Sequence, residues 1–306
     1  MKLTRRQIIA AGASAGACIS FGAASTGLAS ITSPITKAIP GSNERLPVIG
    51  IGTNRWVTGG SPDEKAALRN TLKTFQRMGG RVIDTAPAYR TSEEALGELI
   101  AELNFDEAFF LATKVDREEK RAGIERMQDS LTKLNRASMD LMQVHNLRGA
   151  HVQMENMIEW RENGRIRYLG ITTSRNDQHA EMEALMRELP VDFIQVNYSL
   201  VERAAESRIL PLAEEKGIAV LANIPLARGR LFNATANTKL PEWAAEFDCR
   251  SWGQFFLKYV VSHTGVTCTI PGMTRVAHAE DNMGANFGRL PDAALRKRQE
   301  QLIANL

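Results

Sequence analysis

The stretch VIDTAPAYRTSEEALGELIAELNFDEAFFLATK, running from Val82 to Lys114, decides the fold. It opens on a short apolar run, Val82 to Asp84. A helical pattern follows, with Leu96, Leu99 and Leu103 at three-to-four spacing, and a second short apolar run from Phe109 to Lys114 closes it. This order predicts a strand, a helix and a strand, and a crossover through a helix returns the second strand parallel to the first. Thr91 with Glu94 three residues later predicts a capping box at the helix start.

The same alternation continues on both sides. Short apolar runs bounded by turn signals occur at Val48 to Thr53, Leu141 to His145, Tyr168 to Thr172, Phe193 to Asn197, Ile218 to Ala222 and Val266 to Ile270, making eight with the two above. Helical spacing links them, as in Leu68, Leu72 and Phe75, or Ile124, Met127, Leu131 and Leu134. Eight strand-then-helix units without a composition break predict an α/β fold, a single-domain (β/α)8 TIM barrel with its site at the carboxyl ends of the strands. A doubly wound open sheet is the alternative. Against it, Gly50-Ile51-Gly52 is followed by Thr53, Asn54 and Arg55, without the third glycine and helix of a dinucleotide fingerprint.

Composition fits this reading. With 306 residues, 43% hydrophobic and 24% charged, the chain has the makings of a full core and none of a disordered or disulfide-framed class. The formal charge of +3 resides entirely in Lys2, Arg5 and Arg6, because residues 1–30 hold no acid. The rest is neutral and carries no global field for nucleic acid or an anionic membrane surface. No strongly apolar run reaches the roughly 20 residues of a membrane span, so stable membrane insertion of the mature domain is not expected.

Residues 1–30 read as a targeting segment and residues 31–306 as the barrel domain. Arg5-Arg6 precedes a run from Ala10 to Ala24 rich in Ala, Gly and Ser, and small residues at Gly27 to Ser30 offer a cleavage site. The arginine pair with a weakly apolar core resembles a twin-arginine signal, which implies the twin-arginine export machinery as partner and a periplasmic, pre-folded product. An ordinary secretory signal is the alternative. Past Cys18, only Cys249 and Cys268 remain, and buried thiols are the expectation over a disulfide.

Asp84, Lys114 and His145 end the second, third and fourth predicted strands, and Tyr89 follows Asp84 on the same rim. Singly each has a bland reading, as a turn residue, a solvated lysine, a core histidine or packing. Their joint placement favours chemistry. A tyrosine, with an ordinary pKa of about 10, is a reluctant acid unless an ammonium stabilises its phenolate. Lys114 is placed to do so, Asp84 to keep Lys114 charged, and a neutral His145 to donate to a carbonyl oxygen. None of the four carries a hydride, so a cofactor must. Trp56 is a candidate substrate wall beside Tyr89 and His145, with simple packing over the barrel mouth as the alternative. The five histidines, His145, His151, His179, His263 and His278, form no metal-binding spacing, and no metal is expected.

Asp84-Thr85-Ala86-Pro87-Ala88-Tyr89 followed by Ser92-Glu93-Glu94-Ala95-Leu96-Gly97 resembles the signature of the aldo-keto reductases. Gly50 to Thr53, Thr113-Lys114, Gln143 to Asn146, Gly164 to Thr172, Gln195 to Tyr198, Ile270 to Gly272 and Glu280 to Asn282 follow in the family's order. The resemblance implies an NAD(P)H-dependent oxidoreductase acting on the carbonyl of an aldehyde, ketone or sugar, with Asp84, Tyr89, Lys114 and His145 as catalytic tetrad. A nucleotide-binding sensor or regulatory subunit on the same barrel is the alternative.

The implied cofactor contacts are Thr53 and Asp84 near the ribose, and Asn146, Thr172 and Gln195 around the carboxamide. Pro225, Leu226, Arg228 and Gly229 are implied at the pyrophosphate, and Gly272, Thr274, Arg275, Asp281 and Asn282 at the adenosine end. Two departures stand out. Ala222-Asn223-Ile224 lacks the aromatic that the family often stacks on the nicotinamide, and Gly272 and His278 stand where a lysine and an arginine are common. Arg275 offers a guanidinium for a 2′-phosphate, so NADP (as NADPH) is expected, with NAD as the alternative.

Overall fold

A computed structural model describes residues 33–306. Two short antiparallel strands come first, β1 (Thr36–Ala38) and β2 (Arg45–Pro47). Eight parallel strands follow: β3 (Ile51–Gly52), β4 (Val82–Asp84), β5 (Phe110–Val115), β6 (Met139–Val144), β7 (Ile166–Thr172), β8 (Phe193–Asn197), β9 (Ala219–Asn223) and β10 (Cys268–Thr269). Each pairs with the next in chain order. The ring closes where the chain around β3 bridges to that around β10, at Ile49 with Thr269 and at Gly52 with Gly272. The Gly50 N–H donates to the Thr269 carbonyl at 2.8 Å. A Cβ on Gly50 would stand 2.8 Å from the Val82 carbonyl oxygen of β4 and 3.2 Å from Cys268 Sγ of β10, so the chain between these two strands requires glycine there.

The expected barrel is therefore present, and the expected strands differ from the observed ones only at their ends. The first and last are the most reduced, because at the seam most of their residues pair through isolated backbone bonds rather than a regular ladder. Helices α1 (Pro62–Arg77), α2 (Ser92–Leu103), α3 (Lys120–Lys133), α4 (Ala150–Glu162), α5 (His179–Glu188) and α6 (Ile209–Lys216) fill the crossovers from β3 to β9. α7 (Arg230–Thr235) and α8 (Trp252–Ser262) lie between β9 and β10, and α9 (Val276–Gly284) and α10 (Ala293–Ala304) follow. The capping box sits one helix earlier than expected. Ser61 and Glu64 exchange side-chain to backbone bonds at the start of α1, behind Pro62. Thr91 does not cap α2, because its Oγ1 already accepts from the Thr58 N–H at 2.9 Å.

One core packs helices on the outer face of the sheet, with Leu72, Phe75, Leu96, Met127 and Leu131 among its buried residues. A second, smaller core fills the barrel with Val82, Phe110, Ala112, Leu141, Phe193, Ala219 and Leu221. Ile39 and Leu46, from the chain around the hairpin, join that inner core fully buried. Burying two such side chains stabilises by roughly 1.5–3 kcal/mol each. The Lys37 ammonium anchors the same hairpin to the His263 and Val266 carbonyls at 2.7 and 2.6 Å. Since Val82, Phe110 and Phe193 begin their strands, the hairpin plugs the amino end of the barrel. Cys249 and Cys268 are two buried free thiols. No described helix is long and apolar enough to cross a membrane, and Arg5, Arg6 and Cys18 lie outside the described residues.

Candidate active site

Asp84 is the last residue of β4, Lys114 lies near the end of β5, and His145 follows β6 directly. Parallel register brings them to one rim, with Asp84 opposite Ala112 and Lys114 opposite Gln143. Lys114 is fully buried and its ammonium contacts both Asp84 carboxylate oxygens at 2.8 Å and the Thr85 carbonyl at 2.7 Å. Asp84 Oδ1 also accepts from Gln195 Nε2 at 2.8 Å and Gln143 Nε2 at 3.3 Å. Gln143 reaches it because residue 170 is glycine, where a Cβ would press 3.0 Å from Gln143 Cγ.

Tyr89 is half-buried in the loop between β4 and α2, with its ring centroid 5.0 Å from the Lys114 ammonium. The His145 ring meets it edge-on, 6.0 Å between centroids at 85°. Burial would depress the Lys114 pKa, but the Asp84 carboxylate and Tyr89 outweigh it, and the ammonium is held above its ordinary value. Burial raises the Tyr89 phenol; Lys114 opposes that shift without cancelling it, so the hydroxyl keeps its proton at neutral pH. Burial and the nearby Lys114 charge push His145 down to about 4, leaving a neutral imidazole. The arrangement holds a protonated phenol, a neutral imidazole and a buried cation together, which suits proton donation to a carbonyl.

Beneath the rim, Ser92 Oγ bonds Thr53 Oγ1 at 2.7 Å and the Thr53 carbonyl at 2.8 Å, and Thr53 Oγ1 donates to the Asp84 carbonyl at 3.0 Å. Behind α2, Thr113 Oγ1 donates to the buried Glu93 carboxyl at 2.6 Å. Burial raises the pKa of Glu93, and the Thr113 bond only partly offsets it.

The rim opens on a cavity of about 870 Å³ that Tyr89 and His145 line. Of the expected cofactor contacts, Thr53, Asp84, Asn146, Thr172, Gln195, Pro225, Leu226, Arg228, Gly229, Gly272, Thr274, Asp281 and Asn282 line it too. Arg275 does not; it is exposed at the N-cap of α9, next to Thr274 of the wall. Trp56 takes the packing alternative. It is fully buried outside the lining, its indole N–H donating to the Met273 carbonyl at 2.8 Å, so it supports the loop that forms the wall. Among the described residues no group of three or more His, Cys, Asp or Glu could hold a metal ion.

Left-handed backbone gathers along the same rim, at Arg90, Asn146, Leu147, Ile224, Ala227 and Arg228. Such φ values cost about 1–3 kcal/mol each in non-glycine residues and persist where the surrounding structure holds the backbone. Sequence reasoning missed several wall or supporting residues. Gln143 lies two residues before His145, and the period-two rule for one strand face was the signal that could have found it. Phe232, 40% exposed at the cavity, carried no signal because it sits in a helix.

A nicotinamide dinucleotide fits this site on its donor set, a large cavity lined by several hydrogen-bonding groups. Residues 48–301 match the profile of the Aldo/keto reductase family. The chain is 30% identical to methylglyoxal reductase YeaE of Escherichia coli over 264 residues, 82% of this chain and 89% of that protein. It is 34% identical to aldo-keto reductase YhdN of Bacillus subtilis over 202 residues, 60% of this chain and 59% of that one. Among solved structures, the glycerol dehydrogenase AKR11B4 from Gluconobacter oxydans superposes with a TM-score of 0.74 at 23% identity, covering 88% of this chain and 95% of the other. An aldo-keto reductase from Klebsiella pneumoniae in complex with NADPH gives 0.71 at 23% identity, covering 89% and 95%.

Proposed function

The chain belongs to the aldo/keto reductase family, and on that premise we propose that it reduces the carbonyl of a small aldehyde, ketone or sugar with NADPH, Tyr89 giving the proton. The observation that carries this reading is the convergence of Lys114, Asp84 and His145 on Tyr89 at the mouth of the cavity. A nicotinamide bound there supplies the hydride. The chain's own residues do the rest. Tyr89 and His145 both line the cavity, so a carbonyl oxygen between them receives the phenol proton while the neutral imidazole donates a hydrogen bond to it. As Tyr89 becomes phenolate, the Lys114 charge lowers the cost, and Asp84 keeps that lysine charged and aimed.

NADPH is preferred because the exposed Arg275 stands beside the wall at Thr274, where a guanidinium would meet a 2′-phosphate. Methylglyoxal heads the substrates to try, given the name of the Escherichia coli relative. The test is steady consumption of NADPH by the purified protein over a panel of aldehydes, ketones and sugars that includes methylglyoxal. Nucleotide held but never consumed across the panel would refute the reading and favour a sensor.

We also propose that residues 1–30 direct twin-arginine export and that the barrel reaches the periplasm already folded around its nucleotide. The Arg5-Arg6 pair supports this. Replacing both by lysine should retain active precursor in the cytoplasm. Export equal to the parent's would remove the assignment.

A further inference from the structure

A polar layer caps the inner core of the barrel. Val82, Ala112, Leu141 and Phe193 belong to that core, and two residues further along each strand stand Asp84, Lys114, Gln143 and Gln195. Side chains two apart on a strand share a face, so all four point into the barrel at one end of it. β7 contributes Gly170, in register with Gln143. A Cβ there would stand 3.0 Å from Gln143 Cγ, so the glycine leaves the space that the glutamine fills.

Gln143 is a costly occupant of that space. It is fully buried, and its Nε2 donates to Asp84 Oδ1 at 3.3 Å, while Oε1 has no hydrogen-bond partner among the described residues. An ionised carboxylate only accepts, so the amide nitrogen faces Asp84 and the orientation is fixed. A leucine would fill the same space without burying an unpaired oxygen, and local costs of this kind collect where function needs them. Gln195 is the other amide on Asp84 Oδ1, at 2.8 Å, but it lines the cavity, where the family resemblance sets it beside the nicotinamide carboxamide. Gln143 lies outside the cavity wall. It is the amide donor to Asp84 that a bound nucleotide does not draw away.

We infer that Gln143 is a positioning residue for proton donation, holding Asp84 from inside the barrel so that the carboxylate stays on Lys114 while Tyr89 gives up its proton. The inference rests on the proposed reductase chemistry and adds one residue to it. Asp84 keeps Lys114 charged, but its own negative charge opposes the phenolate that forms on Tyr89. A neutral donor on Asp84 disperses part of that charge and leaves Lys114 untouched. Without the donor the carboxylate is less compensated, Tyr89 is a weaker acid, and proton transfer slows while the cofactor site stays intact.

The test follows single-turnover oxidation of NADPH by the mature protein with an accepted aldehyde. Gln143→Leu keeps the bulk and removes the donor, so the rate at pH 7 should fall by about 3- to 30-fold with NADPH affinity within about twofold of the parent, the scale of one hydrogen bond to a charged group felt in part at Tyr89. Gln143→Met serves in its place where the leucine variant does not fold. Gln143→Glu keeps the shape of the parent side chain and donates to Asp84 only while its carboxyl is protonated. Burial and Asp84 hold that carboxyl above its ordinary value of about 4.3, so the rate should stay near the parent's on the acid side and fall toward the leucine variant's as pH rises through the raised value. A space-filling role gives no such pH dependence. A loss below about threefold in Gln143→Leu, a loss accompanied by weaker NADPH binding, or a Gln143→Glu profile parallel to the parent's would overturn the inference. A parent that oxidises NADPH with no aldehyde would instead remove the reductase reading, and this inference with it.

Discussion

Replacing Lys114 by methionine keeps most of the apolar stem of the side chain and removes its charge together with its hydrogen-bond donors. The parent ammonium is fully buried, 2.8 Å from each Asp84 oxygen and 2.7 Å from the Thr85 carbonyl. At that distance, with an effective dielectric of about 20, the pair attracts by roughly 6 kcal/mol before desolvation is subtracted. Removing one partner of such a pair typically destabilises by about 3–5 kcal/mol, because the remaining charge is stranded. Gln143 and Gln195 still donate to Asp84, which holds the expected loss toward the lower end of that range. Urea unfolding of the mature domain reads the difference directly. Asp84→Asn combined with Lys114→Met removes both charges and should recover at least about 2 kcal/mol of the loss, since a neutral buried pair costs less than a lone ion. The lysine's folded pKa is raised above its ordinary 10.5, so its contribution is complete below that value and is lost as pH rises through the folded value. The gap between parent and Lys114→Met should therefore be constant through neutrality and shrink above about pH 10.5. A Lys114→Met protein within about 1 kcal/mol of the parent, or a double variant showing no recovery, would refute the pairing argument.

Three further outcomes follow from the site. Glu93 has a raised folded pKa, so the folded state favours its protonated form, and stability is lost as pH rises from its ordinary value of 4.5 through the raised one. Glu93→Gln keeps an acceptor for Thr113, and its thermal midpoint should rise relative to the parent as pH increases across that window; a constant difference would contradict the burial argument. With His145 held at about 4 and Tyr89 above its ordinary 10, the profile of kcat/KM against pH should have no acid limb near 6.5, and such a limb would show an imidazole that titrates normally. Arg275→Ala should weaken NADPH by about tenfold or more and NADH little, and equal weakening of both would mean the guanidinium reads something other than the 2′-phosphate.

The barrel was legible because each strand is a short apolar run and each helix a three-to-four repeat, signals that depend on local spacing alone. Asp84, Lys114 and His145 could be placed on one rim for the same reason, since in a parallel barrel a strand's end is also its address. What stayed hidden depends on tertiary partners. The plugging hairpin has strands of three residues, too short for a periodic pattern, and is held by the inner core and by Lys37. Thr91 carried the sequence mark of a cap, yet its hydroxyl is taken by Thr58 from a distant loop. Trp56 follows β3 and suggested a cavity wall, but a Met273 carbonyl from the far side of the seam draws its indole inward.

The claim on which all of this depends is that the protein is a reductase whose proton comes from Tyr89. The measurement that tests it most directly is NADPH-dependent turnover of an accepted aldehyde by Tyr89→Phe, alongside NADPH affinity of the same variant. The account predicts affinity within about threefold of the parent and turnover lower by about 10² to 10⁴-fold, the usual contribution of a positioned general acid. Turnover within a few-fold of the parent, with the nucleotide bound as tightly, would contradict it.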